Sequence, residues 1–102
     1  YLSLDINNFL SFGIGQGATE HVISGSTPLT TAKWYSVASV YNSGNVSLFK
    51  DGILDGSGNV TINDLSYLNA TGFNFGIRYK SYGTSEGFNN GFLDELILVS
   101  AL

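Results

Sequence analysis

Apolar and polar residues alternate with a period close to two along most of the chain, and clusters of Gly, Asn, Ser and Asp separate the alternating stretches. Successive side chains of a β-strand point to opposite faces, so this pattern predicts antiparallel strands joined by short turns. Eight strands are expected, over residues 1–6, 9–14, 20–24, 34–42, 46–50, 60–63, 73–79 and 92–99. In the first, Leu2, Leu4 and Ile6 alternate with Tyr1, Ser3 and Asp5, and Asn7-Asn8 then offers turn residues that tolerate left-handed backbone. In 34–42, the strongest, Trp34, Ser36, Ala38 and Val40 point one way and Tyr35, Val37, Ser39 and Tyr41 the other, which predicts burial of both faces. Residues 42–45 read as a tight turn, as do Asp51-Gly52 and the Asp55-Gly56-Ser57-Gly58 stretch. A polar loop over 80–91 precedes the last strand. No window carries apolar residues at helical spacing, and at most 63–68 makes a short helical turn. The expectation is an all-β antiparallel sandwich or jelly roll, one domain over 1–102.

Composition narrows the chemistry. The 102 residues are 43% hydrophobic and 12% charged, with seven Phe, six Tyr and one Trp, a mixture that excludes a disordered chain. Four basic residues stand against eight acidic ones, which leaves no cationic stripe for phosphates, so neither nucleic acid nor an anionic membrane is an expected partner. The longest apolar runs, such as 96–99, are far too short for membrane insertion. Without cysteine there is no disulfide framework, thiolate nucleophile or Cys-based metal site, and the redox compartment is unreadable. The chain contains no Met and starts at Tyr1 without a signal-peptide pattern; the expectation is that processing removed a beginning or that the segment was cut from something longer.

Four stretches carry a more specific pattern. They are Trp34-Tyr35-Ser36-Val37-Ala38-Ser39-Val40-Tyr41-Asn42, Val46-Ser47-Leu48-Phe49-Lys50-Asp51-Gly52, Phe75-Gly76-Ile77, and Phe88-Asn89-Asn90-Gly91-Phe92-Leu93-Asp94-Glu95-Leu96. Their order and spacing resemble the laminin-G-like group of the concanavalin A-like lectin/glucanase superfamily, in which W-x-x-V-A-x-V-Y-[DN] leads through a hairpin to L-Y-x-D-G, and an I-G strand leads to F-x-G-x-[IL]-D-E-[VL]. The opening hairpin, 1–14, is similar to that group's as well. The resemblance assigns Trp34, Asp51, Gly52, Gly91 and Asp94 to its structural motif. It departs at Tyr35-Ser36, where a histidine is common, and in lacking the group's N-terminal strands, so the chain looks like a C-terminal portion of such a domain. Its exposed sheet edge, above all the last strand, is then expected to be covered by upstream sequence or by another chain.

Candidate chemistry is sparse. Asp94-Glu95 is an acidic pair in an apolar strand, but adjacent strand residues point to opposite faces and cannot flank one sugar as a glycosidase pair does. Asp94 is expected to accept loop hydrogen bonds and Glu95 to face solvent. Asp51-Gly52 and Asp55-Gly56 lack the spacing of a calcium loop, and no metal ligand is assigned from the residues; a calcium ion is implied only by the resemblance. His21 has no nucleophile in a recognisable context, and Gly13-Ile14-Gly15-Gln16-Gly17 reads as a hairpin end, since no βαβ unit follows. Asn45, Asn59 and Asn69 each open a glycosylation sequon.

Ligand contact is expected in 79–90. Tyr79 and Tyr82 offer stacking faces, and Glu86, Asn89 and Asn90 offer polar partners for hydroxyls. The function expected is a non-catalytic carbohydrate- or ligand-binding module of a surface, secreted or virion protein. The alternative is a structural or assembly module, a fibre, tail or capsid-decoration component completed by neighbouring chains. Partners are accordingly a glycan or glycoprotein, or a protein or second copy at the uncovered edge; no cofactor is required.

Overall fold

The computed structural model describes residues 1–16, 19–60, 78–79, 85–86 and 92–97. Tyr1–Leu68 forms one compact unit and Asn69–Leu102 a second. The first contains β1 (Leu2–Leu4), β2 (Leu10–Gln16), β3 (Thr19–Ser24), β4 (Val37–Asn42), β5 (Asn45–Lys50) and β6 (Ile53–Asn59), and the second β7 (Arg78–Tyr79) and β8 (Ser85–Glu86). Every pairing is antiparallel, giving the sheets β1-β2-β3, β4-β5-β6 and β7-β8. Among the described residues there is no helix. The all-β fold class is as the alternation predicts.

Local chemistry sets the turns. Asp5 Oδ1 accepts the amides of Asn7 at 2.8 Å and Phe9 at 2.9 Å, and Asn8 takes a φ of 66°, so the β1–β2 connection is held by one aspartate and one left-handed asparagine. The two turns of the second sheet are two-residue loops with positive φ at both positions, Ser43 at 48° with Gly44 at 88° and Asp51 at 51° with Gly52 at 78°. Such turns match the twist of the flanking strands, which is why they close hairpins.

The first unit's two sheets share a core. Leu10 of β2, Val46 and Leu48 of β5, and Val60 are buried, with Phe12, Ile14, Ile23 and Leu29 packed against them. The spacing of Leu10, Phe12 and Ile14, and of Val46 and Leu48, puts each set on one face of its strand, and the two faces enclose the core of a sandwich. Val60 follows β6 and donates its amide to the Gly44 carbonyl at 2.7 Å.

Several boundaries move. The strand expected over 1–6 covers only Leu2–Leu4, and Ile6 is almost wholly exposed in the Asp5 turn. The strand expected from Trp34 starts at Val37, and neither of its faces is closed: Val37, Val40 and Tyr41 are exposed, and Trp34 is 63% exposed. Position explains this, because β4 stands at the end of the β4-β5-β6 order and pairs only with β5 among the described residues.

The largest correction concerns 55–58, expected as a turn but lying within β6. Here a bulge places Asp55 between the pairs Leu48–Gly56 and Phe49–Leu54. Gly56 and Gly58 then face β3: a Cβ on Gly56 would stand 2.5 Å from the Ser24 carbonyl oxygen, and one on Gly58 would stand 2.5 Å from Ile23 Cδ1. These glycines serve close approach of two sheets, not reversal of the chain.

The polar loop expected over 80–91 contains β8, which pairs with β7 in a small hairpin. Phe92 to Ile97 is not part of a strand, so the last strand expected over 92–99 is not formed in its described portion, and its residues are exposed. Residues 61–77, with the expected helical turn, lie outside the described residues.

Candidate functional site

The hairpin of the second unit carries the first-expected ligand residues. Tyr79 pairs with Ser85 and Arg78 with Glu86, so the register brings Tyr79 and Glu86 onto neighbouring strands at the base of 80–84. Tyr82, Asn89, Asn90 and Gly91 lie outside the described residues. Asp94 is exposed rather than enclosed, and so is Glu95. His21 lies half-buried in β3, opposite Ile14. Asn45 and Asn59, two of the sequon asparagines, are exposed register partners at one end of the β5–β6 ladder.

A denser group of functional side chains sits in the connection between the first unit's two sheets, residues 25–36. Its start is anchored: Gly25 donates its amide to the Leu10 carbonyl, Ser26 to the Asp55 carbonyl and Leu29 to the Asn8 carbonyl, each at 2.8 Å. Asp55 Oδ1 accepts the Thr27 hydroxyl, whose oxygen accepts Lys50 Nζ. Asp55 is 6% exposed, and its Oδ2 is buried beneath Gly25 without a hydrogen-bond partner among the described residues. The end is anchored by Asp51, whose Oδ1 accepts the Ser36 amide at 2.9 Å and whose own amide donates to the Ser36 carbonyl at 2.7 Å.

Between these anchors Ala32 adopts a φ of 59°, reversing the chain so that Lys33 returns over a ring two residues on. Lys33 Nζ lies 4.9 Å from the centre of the Tyr35 ring and Lys50 Nζ 6.0 Å, both within cation–π range. The Tyr35 hydroxyl accepts the Thr30 amide at 3.1 Å and shares a hydrogen bond with the Thr30 hydroxyl at 2.9 Å. Those bonds from Thr30, hydroxyl first and amide second, hold the Tyr35 phenol below the usual tyrosine range, and Lys33 and Lys50 add to the effect. The result is a surface of exposed threonine hydroxyls and the exposed Lys33 ammonium around the half-buried Tyr35 and Lys50, with Trp34 alongside in sequence. Such groups bind polyols and acids; they hold no pair of carboxylates across a cleft.

Residues 34–36, expected as the start of a strand, belong to this connection instead. The available signal was register: Val37 pairs with Lys50, so the residues just before Val37 meet the β5–β6 turn. Lys33-Trp34-Tyr35 is the concentrated aromatic and basic tripeptide in that position.

Among the described residues no three His, Cys, Asp or Glu side chains come together as a metal-ligand group.

No curated protein and no solved structure gave a significant match. A laminin-G family model, described as the concanavalin A-like lectin/glucanases superfamily, matches residues 1–101. With the antiparallel sandwich and the ordered motifs in agreement, the chain belongs to the laminin-G-like family of the concanavalin A-like lectin/glucanase superfamily.

Proposed function

We propose that the chain is a non-catalytic carbohydrate-binding module of a secreted, cell-surface or virion protein. One observation carries this beyond family membership: the Tyr35 surface, where an aromatic ring, two threonine hydroxyls and two ammonium groups gather on a connection anchored at both ends to the sandwich. Flat rings and rigidly placed hydrogen-bonding groups are what sugar recognition requires, and loops on a rigid β scaffold commonly carry such sites. The β7–β8 hairpin, with Tyr79 and Glu86 on neighbouring strands, and Tyr82, Asn89 and Asn90 around it in sequence, is the second contact region in this proposal. The non-catalytic part is supported by the buried and anchored carboxylates of the described residues, Asp55 engaged with Thr27 and Asp51 with Ser36, each tied to its own partner rather than set as a pair across a cleft. A glycan array probed with the folded chain, with heat-unfolded chain as control, tests the proposal; specific signal on a related set of glycans supports it, and signal no higher than the control overturns it.

One observation favours a second function, an assembly module completed by neighbouring chains. Phe92 is 90% exposed and Ile97 71%, with Leu93 and Leu96 between them also exposed. Apolar runs of that kind are commonly covered by a partner. Sedimentation equilibrium at micromolar concentration decides it: self-association that is lost on Phe92→Ser and Ile97→Ser supports assembly, and a monomer contradicts it.

A further inference from the structure

β4 is an unprotected sheet edge. It stands at the end of the β4-β5-β6 order, and among the described residues β5 is its one partner. Native edge strands are blunted by a charge, a proline or a bulge, and Val37-Ala38-Ser39-Val40-Tyr41-Asn42 carries none of these. The bulge of this sheet lies on the other side of β5, in its ladder with β6. Val37, Ala38, Val40 and Tyr41 are all exposed, so apolar surface flanks the free edge on both faces of the sheet.

The turn fixes which backbone groups this edge offers. Asn42 and Asn45 close the Ser43-Gly44 loop, and a two-residue turn of this kind is flanked by a pair that exchanges both of its hydrogen bonds. Such pairs alternate along an antiparallel ladder, so Ala38, Val40 and Asn42 turn their N–H and C=O groups to β5, and Val37, Ser39 and Tyr41 turn theirs outward. Ser36 fits the alternation, since its amide and its carbonyl both bond to Asp51. Among the described residues, Val37, Ser39 and Tyr41 have no backbone partner outside their own ladder.

We propose that β4 pairs with β4 of a second copy of this chain, antiparallel about a twofold axis at Ser39. In that register Ser39 meets the partner's Ser39 and Val37 meets the partner's Tyr41, and each of these pairs exchanges two hydrogen bonds through the outward groups. The side chains match as well. Val37 against Tyr41 is a β-branched and aromatic cross-strand pair on one face, Ala38 against Val40 sets small against branched on the other, and the two Ser39 hydroxyls reach each other. An axis at Val37 or at Tyr41 instead would run half the strand against the 33–36 connection or the Ser43-Gly44 turn and lose pairs. Charge selects the antiparallel direction. Each chain carries −4, but β4 has no charged residue, and Lys50 and Asp51 lie at its Val37 end. The twofold sets them beside the partner's uncharged 42–45 turn, whereas parallel strands would set each beside its own copy. This inference deepens the assembly function and uses an edge separate from 92–97.

A strand-to-strand contact of this length belongs to the small class of interfaces, below roughly 1,200 Å², so a dimer in the range of about 10–100 μM is expected. Sedimentation equilibrium of the intact chain from about 1 to about 500 μM tests it, for the parent, Ser39→Pro and Phe92→Ser/Ile97→Ser. Ser39→Pro removes an outward N–H and no β4–β5 bond, a position where an edge strand tolerates proline. It is expected to weaken the dimer about tenfold or more with little change in the thermal melt, and Phe92→Ser/Ile97→Ser to leave the dimer unaltered. The chain has no cysteine, so Ser39→Cys gives a second measure. A hydrogen-bonded pair brings the two Cα atoms to about 5.5 Å, within disulfide reach, and mild oxidation is expected to link Ser39→Cys about fivefold or more faster than Ser57→Cys on the exposed face of β6. A dimer that survives Ser39→Pro, or a monomeric parent, overturns the inference; the monomer leaves the edge to a strand of a different protein. Loss in Phe92→Ser/Ile97→Ser alone overturns it and leaves assembly through 92–97 standing, and a monomer in every variant overturns both. Where Ser39→Pro unfolds, or both variants lose the dimer, the cysteines decide, and equal oxidation rates for Ser39→Cys and Ser57→Cys overturn the proposal.

Discussion

Asp51 and Ser36 are joined by a reciprocal pair of hydrogen bonds, the Ser36 amide donating to the Asp51 carboxylate at 2.9 Å and the Asp51 amide donating to the Ser36 carbonyl at 2.7 Å. Asp51 is thus both a turn residue and the tether that fixes the end of the connection bearing Lys33 and Tyr35. Removing the carboxylate leaves the Ser36 amide without its partner, and a left-handed φ of 51° suits Asp or Asn better than Ala. Asp51→Ala is therefore expected to lower stability by about 1–2 kcal/mol in urea unfolding, with Asp51→Asn losing less than half as much, because the amide oxygen still accepts and the conformation is still tolerated. Equal losses in the two variants contradict this role.

Gly56 stands where β6 runs close against the end of β3. A methyl group there meets the Ser24 carbonyl oxygen at 2.5 Å and Gly25 Cα at 3.1 Å, both backbone atoms with little room to move. Gly56→Ala is expected to destabilise the fold by about 1–3 kcal/mol through overpacking, whereas Ser57→Ala, at an exposed position one residue on, changes stability by less than about 0.5 kcal/mol. Urea midpoints of the two variants side by side check the assignment of 55–58 to a strand.

Leu48 is fully buried at the centre of the core, and Ile53 is 72% exposed on the next strand. Leu48→Ala is expected to cost about 2–5 kcal/mol, enough to unfold much of a marginally stable chain, and Ile53→Ala to cost little. Circular dichroism melts distinguish them, and similar melts for both contradict the placement of the core.

The Tyr35 phenol ionises below the usual tyrosine range because Thr30 hydrogen bonds and two lysines favour the phenolate. The folded state therefore releases this proton at lower pH than the unfolded state. Between the lowered and the ordinary value the unfolded chain binds more protons, so this group's contribution favours folding increasingly as pH rises through that alkaline window, and it is absent at neutral pH. Ultraviolet titration is expected to show one early-ionising tyrosine that disappears in Tyr35→Phe and moves upward in Thr30→Val and Lys33→Gln.

Periodicity makes much of the fold legible. The alternation around Leu10, Phe12 and Ile14, and around Val46 and Leu48, identifies the faces that enclose the core, and the Ser43-Gly44 and Asp51-Gly52 pairs announce their hairpins. Asp55-Gly56-Ser57-Gly58 misleads because glycine reports freedom of the backbone or nearness of another backbone alike, and only the position of β3 decides between them. The regular spacing of Gly56 and Gly58, two apart on one face, is the clue in retrospect. Trp34 and Tyr35 mislead differently: alternation continues upstream of Val37, while strand pairing stops there and Asp51 takes over the Ser36 backbone. The Tyr35 surface is assembled across the β4–β5 register and by the left-handed Ala32, relationships that no local window of sequence contains.

The most direct measurement of the central claim, that this sandwich recognises carbohydrate through its connections, is amide chemical-shift mapping of the isotope-labelled chain during titration with uronate-containing and neutral oligosaccharides. Saturable shifts confined to 27–36, Lys50 and 78–90 are the predicted result. An absence of saturable shifts throughout the chain at millimolar sugar, with the dispersed spectrum of a folded protein, contradicts it.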